Sequence, residues 1–387
     1  MILTVALNAT VNVSYEAQEI AWGAPNHVSR MTCRAGGGSL AVARVLAGLG
    51  EDVLVAGFAG GGSGDMIEAD LARAGVATAF TRIGRESRRV IDVLDEAREE
   101  STRLSEPAPF ITTEELGRFA GEFRKLVPGT DAVVLSGGLP SDLPMDIYAS
   151  LVSYAAEASV PAIVHAGGPA LWRSLDRHPA LVLIASTAGM PGAGVSVSPA
   201  TLLARGAKAA VMLSGAALLA AAATGPAGQW RAALEGYPGL SLSAEAVAAG
   251  LLPAVAQGWS WPDALRHAVA LGASADLLGE VDLDAYELLS PEVVLAPAGG
   301  SSTADPADPL TRLTRLTPLT RRPGRPGRPR REQAVKPPAG QNCRHQGLGV
   351  PLPKIRAWSW LAVSVVPQTA GGSLPLTAVQ AVHATSE

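Results

Sequence analysis

Cysteine is almost missing from this chain of 387 residues: it holds two, Cys33 and Cys343, far apart and in regions of different composition. A disulfide framework or a cysteine zinc site needs more than that, so the expected compartment is the reducing cytoplasm. Long apolar runs are missing too, and none reaches the ~18–20 residues that a membrane span needs. The opening Met1-Ile-Leu-Thr-Val-Ala-Leu7 has no basic stretch before its apolar residues and reads as a first strand rather than a signal peptide. No segment repeats at the period of a solenoid, and no residues are assigned to a metal. What is present suits an Ala-rich, enzyme-like globular fold: 48% of residues are hydrophobic and 17% charged, enough for one large α/β domain with additions.

Charge is spread unevenly. Residues 1–299 carry 19 Lys+Arg and 31 Asp+Glu, a net of −12, whereas residues 300–387 carry 12 and 4, a net of +8. The acidic body argues against broad binding to a phosphate backbone. The second part is rich in Pro, Arg and Thr, with Arg321-Arg-Pro-Gly-Arg-Pro-Gly-Arg-Pro-Arg-Arg331 at its centre. Proline blocks helix and sheet and the like charges repel, so residues 300–387 are expected to form a disordered tail, most clearly over roughly 300–350. A solvated extension, an arm for nucleic acid or an acidic partner, and an out-of-frame extension all remain open for it. The run Trp358–Val366 reads as one strand or a short amphipathic piece.

Within 1–299 strands and helices alternate. Ile2–Leu7, Val53–Phe58, Ala132–Leu135 and the stretches 161–164, 181–184 and 209–213 read as buried strands. A helix is expected over Leu40–Leu49 with Ser39 as its N-cap. Others are expected after Gly60–Gly64 to about Ala74, over 145–157, over 244–256 and over 262–278. Residues 86–104 mix charged and apolar positions like an exposed hairpin, suited to an edge sheet or lid. Repeated βα units of this length imply a mostly parallel sheet with helices on both faces.

Several short motifs stand in one order. Arg34-Ala-Gly-Gly-Gly-Ser-Leu-Ala-Val-Ala-Arg44 follows a strand-like run and opens a helix. It resembles the glycine-rich sugar-binding motif G-G-K-G-x-N-x-A of the PfkB (ribokinase-like) family of sugar kinases. Leu7-Asn-Ala-Thr-Val-Asn-Val13 is similar to L-N-P-A-L-D-x of its 1-phosphofructokinase and tagatose-6-phosphate kinase branch. Gly57-Phe-Ala-Gly-Gly61 matches the end of the second strand, and Ser105-Glu-Pro-Ala-Pro109 resembles the turn N-E-P-G-P. Ser136-Gly-Gly-Leu-Pro140 resembles S-G-S-L-P, and Gly279-Glu-Val-Asp282 fits the closing segment. The resemblance covers nearly all of 1–299. It implies a ribokinase-like α/β domain with a small β lid, and ATP with magnesium as cofactors if the chain is active. The partners it implies are a small-molecule sugar phosphate and a second copy of the chain joined through the lid.

The same resemblance marks the site residues. On the sugar side it singles out Asn8, Gly36, Gly37 and Ser136, and Asn12 at the place of the substrate-binding Asp of the first loop. It makes Arg88, on the hairpin, a phosphate clamp; the competing reading is a surface Arg beside Arg89. Glu106-Pro107 reads as turn geometry. The family's G-A-G-D motif supplies both the anion hole and the general base. Its equivalent here is Ser241-Leu-Ser-Ala-Glu245, with Leu242, Ser243 and Ala244 on the anion hole and Glu245 on the catalytic Asp; a register two residues away puts Ser243 there. The competing reading makes Glu245 a first-turn helix acid and Ser243 an N-cap.

Polar chemistry is missing at several family positions. Gly38, Ser39 and Ala41 replace Lys, Gly and Asn of the sugar motif, and Leu242 adds a side chain where the phosphate is expected to pass. The K-P-N-x-x-E stretch aligns with Leu183-Ile-Ala-Ser-Thr-Ala188, and the ATP-bordering loop with Leu213-Ser-Gly-Ala-Ala-Leu218, where Gly215 is kept. His165, in place of an Asp, reads as a stand-in base or as an ordinary strand-end residue. The expectation is a sugar-phosphate kinase homologue with impaired phosphoryl transfer that keeps sugar-phosphate binding. The alternative is a working hexose-phosphate kinase, and a third reading is a decaying product with fold stability only.

Overall fold

The structure, a computed structural model, describes residues 1–185, 197–215, 217–222, 228–237, 240–276 and 278–298. The tail calls over 300–387, including the Trp358 run, and the Cys343 position lie outside the described residues. In chain order the elements are β1 (Ile2–Ala6), β2 (Thr10–Ala17), β3 (Arg30–Gly36), α1 (Gly38–Gly48), β4 (Val53–Ala59), α2 (Gly61–Arg73), β5 (Ala77–Arg82), β6 (Arg89–Asp95) and β7 (Glu100–Ser105). Next come α3 (Thr113–Leu126), β8 (Ala132–Ser136), α4 (Ile147–Glu157), β9 (Ala162–His165), α5 (Gly168–Leu175), β10 (Leu181–Ala185), α6 (Pro199–Ala204) and β11 (Ala209–Ser214). The last are β12 (Ala217–Ala222), β13 (Gln229–Leu234), α7 (Ala244–Gly250), α8 (Leu252–Ala256), α9 (Trp261–Ser274), α10 (Leu283–Leu289) and β14 (Val293–Pro297).

Ten strands form one sheet in the order β14-β13-β12-β11-β10-β9-β8-β1-β4-β5. From β11 to β5 every pairing is parallel, and β12, β13 and β14 add antiparallel strands at one edge. All five residues of β1 and of β8 are buried, as strands covered on both faces must be. Side chains alternate along β1. Ile2 and Ala6 join one apolar cluster with Leu40, Val45, Val247 and Leu265 from α1, α7 and α9. Leu3, Val5 and Leu7 join another with Phe119, Tyr148, Leu151 and Leu171 from α3, α4 and α5. This is the α/β layering the sequence implies.

A second sheet, β3-β2-β6-β7, stands apart from the first. It contains the expected hairpin as β6 and β7, paired antiparallel. Its two faces differ. By register, Val13, Cys33, Ile91 and Leu104 share one face with Tyr15, Met31 and Val93, while Asn12, Ser14, Thr32, Asp92 and Arg103 share the other. On the polar face Arg103 pairs with Asp92 through two bonds of 2.7 and 3.0 Å.

Two local expectations are corrected. Ser39 does not cap α1: the helix begins at Gly38 with Gly37 as its N-cap. Ser39 is instead buried one position inside the helix. Its hydroxyl donates to the carbonyls of Val5 and Ser136 and stitches α1 to β1 and β8. The long helix expected over 244–256 is two pieces, α7 and α8, and Pro253 stands in the first turn of the second. Proline fits a first turn, where its missing N–H costs nothing, and cannot continue a helix interior.

Candidate active site

The carboxyl ends of the parallel strands meet the start of α1, and ligands of open α/β sheets bind in such crevices. Asn8 follows β1, Ser136 ends β8 and His165 ends β9. Gly37 has φ +113, a backbone region that L side chains rarely enter. That glycine turns β3 sharply into α1 and brings Gly38 over β8. A Cβ on Gly38 would lie 2.6 Å from the Ser136 hydroxyl oxygen and 3.4 Å from both Glu245 Oε1 and the Gly137 nitrogen. Three distant segments therefore converge on one point, and the expected substrate and base positions, Ser136 and Glu245, come together there.

The surroundings hold that geometry. The Ser136 N–H donates to Ser39 Oγ at 3.3 Å, and the Gly137 N–H donates to the His165 carbonyl at 3.0 Å. The Tyr148 hydroxyl donates to the Gly137 carbonyl at 3.0 Å, and burial pushes its phenol pKa up. The Ser136 hydroxyl and His165 Nδ1 share a hydrogen bond of 3.0 Å. His165 is thus half-buried and bonded to the serine rather than a plain core residue. Its place at the end of a central parallel strand is where the sequence already offered it as a stand-in base or an ordinary strand-end residue.

Asn12 lies on β2, not in a loop, and its side-chain amide fills the space a Cβ on Gly36 would need. Thr10 donates to its Oδ1 at 2.8 Å. The buried Asn8 Oδ1 has no partner. Arg88 precedes β6, and the Val11↔Arg89 register puts it on the same face as Asn12. It is half-buried, Nη1 donates to the Glu106 carbonyl at 3.3 Å, and Nε is buried without a partner. Desolvation pulls its guanidinium pKa below the usual range. Arg89 differs: it is exposed and paired with the Glu106 carboxylate at 2.8 Å. Glu106 thus does more than turn the chain, since it ties both arginines to the hairpin. The surface-Arg reading fits Arg89, not Arg88.

The remaining predicted positions are used otherwise. Leu242 is buried in the core beside Gly272 and does not point its side chain into a ligand path. Ser243 is the N-cap of α7: its hydroxyl accepts from the Ala246 N–H at 3.3 Å, and its own N–H donates to the Gly272 carbonyl at 2.8 Å. Ala244 opens the helix and Glu245 is its first-turn acid, as the capping reading has it; yet the Glu245 carboxylate also reaches the site. Gly215 sits in the turn after β11 with φ +57. Two strands separate β11 from β8, so Gly215 stands about 14 Å from Ser136 at ordinary strand spacing and is not brought into the cluster. Among the described residues no group of three His, Cys, Asp or Glu could hold a metal ion.

Residues 3–182 match the pfkB family of carbohydrate kinases. This segment is a PfkB-family carbohydrate-kinase domain. The tagatose-6-phosphate kinase of Staphylococcus epidermidis is 37% identical over 171 residues, which are 44% of this chain and 54% of that kinase. The chain thus spans about half the length of the curated relatives it matches. Phosphofructokinase-2 of Escherichia coli in complex with fructose-6-phosphate superposes on the fold with TM-score 0.67 and 21% identity, covering 75% of this chain and 98% of that one. A carbohydrate kinase of Agrobacterium tumefaciens superposes with TM-score 0.61 and 19% identity over 76% and 99%. The family match ends at the start of β10, and the glycine motif, Asn8, Arg88, Ser136 and His165 all lie inside it, whereas Glu245 lies beyond. Among the described residues no helix is long and apolar enough to cross a membrane.

Proposed function

We propose that this protein binds a hexose phosphate between α1 and the small sheet, and that its phosphoryl transfer is slow beside that of working kinases. One observation carries the binding half: Gly38, Ser136 and Glu245 converge on one point at the strand ends. Arg88, with its buried and unpartnered Nε, is the group to clamp the phosphate, since a guanidinium offers planar, bidentate donors. Asn8, Asn12, Gly36, Gly37 and Ser136 line the sugar side. Glu245 is the general base, its carboxylate being the acid nearest the Ser136 hydroxyl in this cluster.

Kinases of this family use ATP with magnesium, which would supply the phosphoryl group and neutralise its charge. The described residues do not fit that pair. The nucleotide-side strand ends, Leu183-Ile-Ala185 and Leu213-Ser-Gly215, carry no charged side chain, and Ser243 spends its N–H and hydroxyl inside the protein. The burial of Leu242 and the placement of Glu245 favour a second reading, a working ATP-dependent kinase for fructose-1-phosphate or tagatose-6-phosphate.

The wider reading is a cytoplasmic protein with its folded domain over 1–299. A second copy pairs through the exposed apolar face of the small sheet, where Met31 is 57% and Leu104 55% exposed. Nucleic acid is left to the basic tail. The test is calorimetry with tagatose-6-phosphate and with Mg-ATP, followed by a turnover assay. Hexose-phosphate binding without kinase-range turnover supports the first reading. Turnover in that range, lost in Glu245→Gln, establishes the second.

A further inference from the structure

The Ser136 hydroxyl holds its direction through two neighbours on other elements. On one side His165 Nδ1 shares its hydrogen bond at 3.0 Å. On the other the hydroxyl oxygen lies 2.6 Å from where a Cβ on Gly38 would be, a separation no real Cβ tolerates. A methyl group at position 38 would therefore push the hydroxyl aside, and loss of the imidazole would let it turn. The backbone around it has no such freedom. Both the N–H and the carbonyl of Ser136 are tied to Ser39, and Gly137 is tied to His165 and to Tyr148.

A serine hydroxyl engaged by one imidazole still has hydrogen-bonding capacity for one more hydroxyl. An anionic group is disfavoured at that place, because the Glu245 carboxylate stands 3.4 Å from the same point and like charges repel. Arg88, by contrast, belongs to the small sheet, beside Val11 and Glu106.

We propose that His165 is a positioning residue for sugar recognition: it aims the Ser136 hydroxyl across the bare Gly38 backbone to meet an uncharged hydroxyl of the ligand. This rests on the hexose-phosphate reading above. The phosphate, held by Arg88, does not sense His165.

The test is calorimetry on the full chain with tagatose-6-phosphate and, separately, inorganic phosphate by competition. His165→Ala and Ser136→Ala should each weaken tagatose-6-phosphate by roughly threefold to tenfold, the range of one hydrogen bond. The double variant should be no worse than the weaker-binding single one. Gly38→Ala, made on a different element, should copy the loss. His165→Asn, whose amide can replace Nδ1, should stay within about threefold of wild type. Inorganic phosphate should bind equally in all of them. Losses that multiply in the double variant, or an equal loss for inorganic phosphate, would overturn the inference while leaving the hexose-phosphate reading intact. Binding of neither ligand by well-folded wild type would overturn both.

Discussion

The Glu245 carboxylate and the Ser136 hydroxyl face one another over bare backbone: the Cβ position of Gly38 is 3.4 Å from one and 2.6 Å from the other. A carboxylate beside a hydroxyl-binding group is the arrangement a general base needs. We therefore expect Glu245→Gln to lower whatever turnover the protein has by ~10²-fold or more while shifting tagatose-6-phosphate affinity less than about threefold. Wild-type turnover should fall below the ~1–100 s⁻¹ of common kinases. Steady-state assays beside calorimetry check both; an unchanged rate in Glu245→Gln would remove the residue from catalysis.

Arg88 is the group whose removal should cost the most affinity for phosphate. Losing a charge-assisted contact is worth about 1.5–3 kcal/mol, so Arg88→Ala should weaken tagatose-6-phosphate ~10–100-fold. Arg89→Ala, which removes an exposed ion pair with Glu106, should change it little. Mg-ATP should bind far more weakly than the sugar phosphate, and micromolar Mg-ATP affinity would contradict the first reading.

The small sheet is anchored by a buried ion pair. Arg44 and Asp70 bond each other with both side chains inside the protein. Arg44 also donates to the Ala35 carbonyl at 2.7 Å and the Leu278 carbonyl at 3.2 Å, and the Ala35 N–H donates to Asp70 at 2.9 Å. Removing one partner leaves a buried charge unpaired. Asp70→Ala should cost about 3–5 kcal/mol of stability, read by chemical denaturation. A loss under 1 kcal/mol would show that water or a shift of Arg44 compensates.

The apolar face of the small sheet should join two copies of the chain. Light scattering should find a dimer for wild type, and Met31→Glu with Leu104→Glu should give a monomer whose melting temperature is little changed. A wild-type monomer at micromolar concentration would end that proposal.

Residues 1–299 should fold without the tail. The charge balance changes sign there, and the superposed carbohydrate kinases cover 75–76% of the chain. A chain ending at residue 299 should melt as cooperatively as the full one and within a few degrees of it; a large drop would mean that the tail packs on the body.

Much of this was readable from local pattern. The parallel core strands β1, β4 and β8 to β11 are continuous apolar runs because both of their faces are covered, and such runs stand out without any partner being known. β2 stayed hidden, although Thr10–Ala17 alternates polar and apolar residues as a strand with one covered face does, because its first residues read as part of a loop motif. β12 to β14 were missed as well, being strands of only five or six residues without a clean alternation. Motif order alone assigned the sugar side to Asn8, Gly36, Gly37, Arg88 and Ser136. The packing of separate segments decided the rest. Ser39 looked like a cap because its type favours caps, and only the approach of β1 and β8 turned its hydroxyl inward. Leu242 looked like an obstruction until the fold buried it against Gly272. His165, Gly38 and Glu245 are far apart along the chain, and nothing in their local sequences says that they meet; a shared point in space is a property of how strands and helices stack, which a linear pattern does not carry.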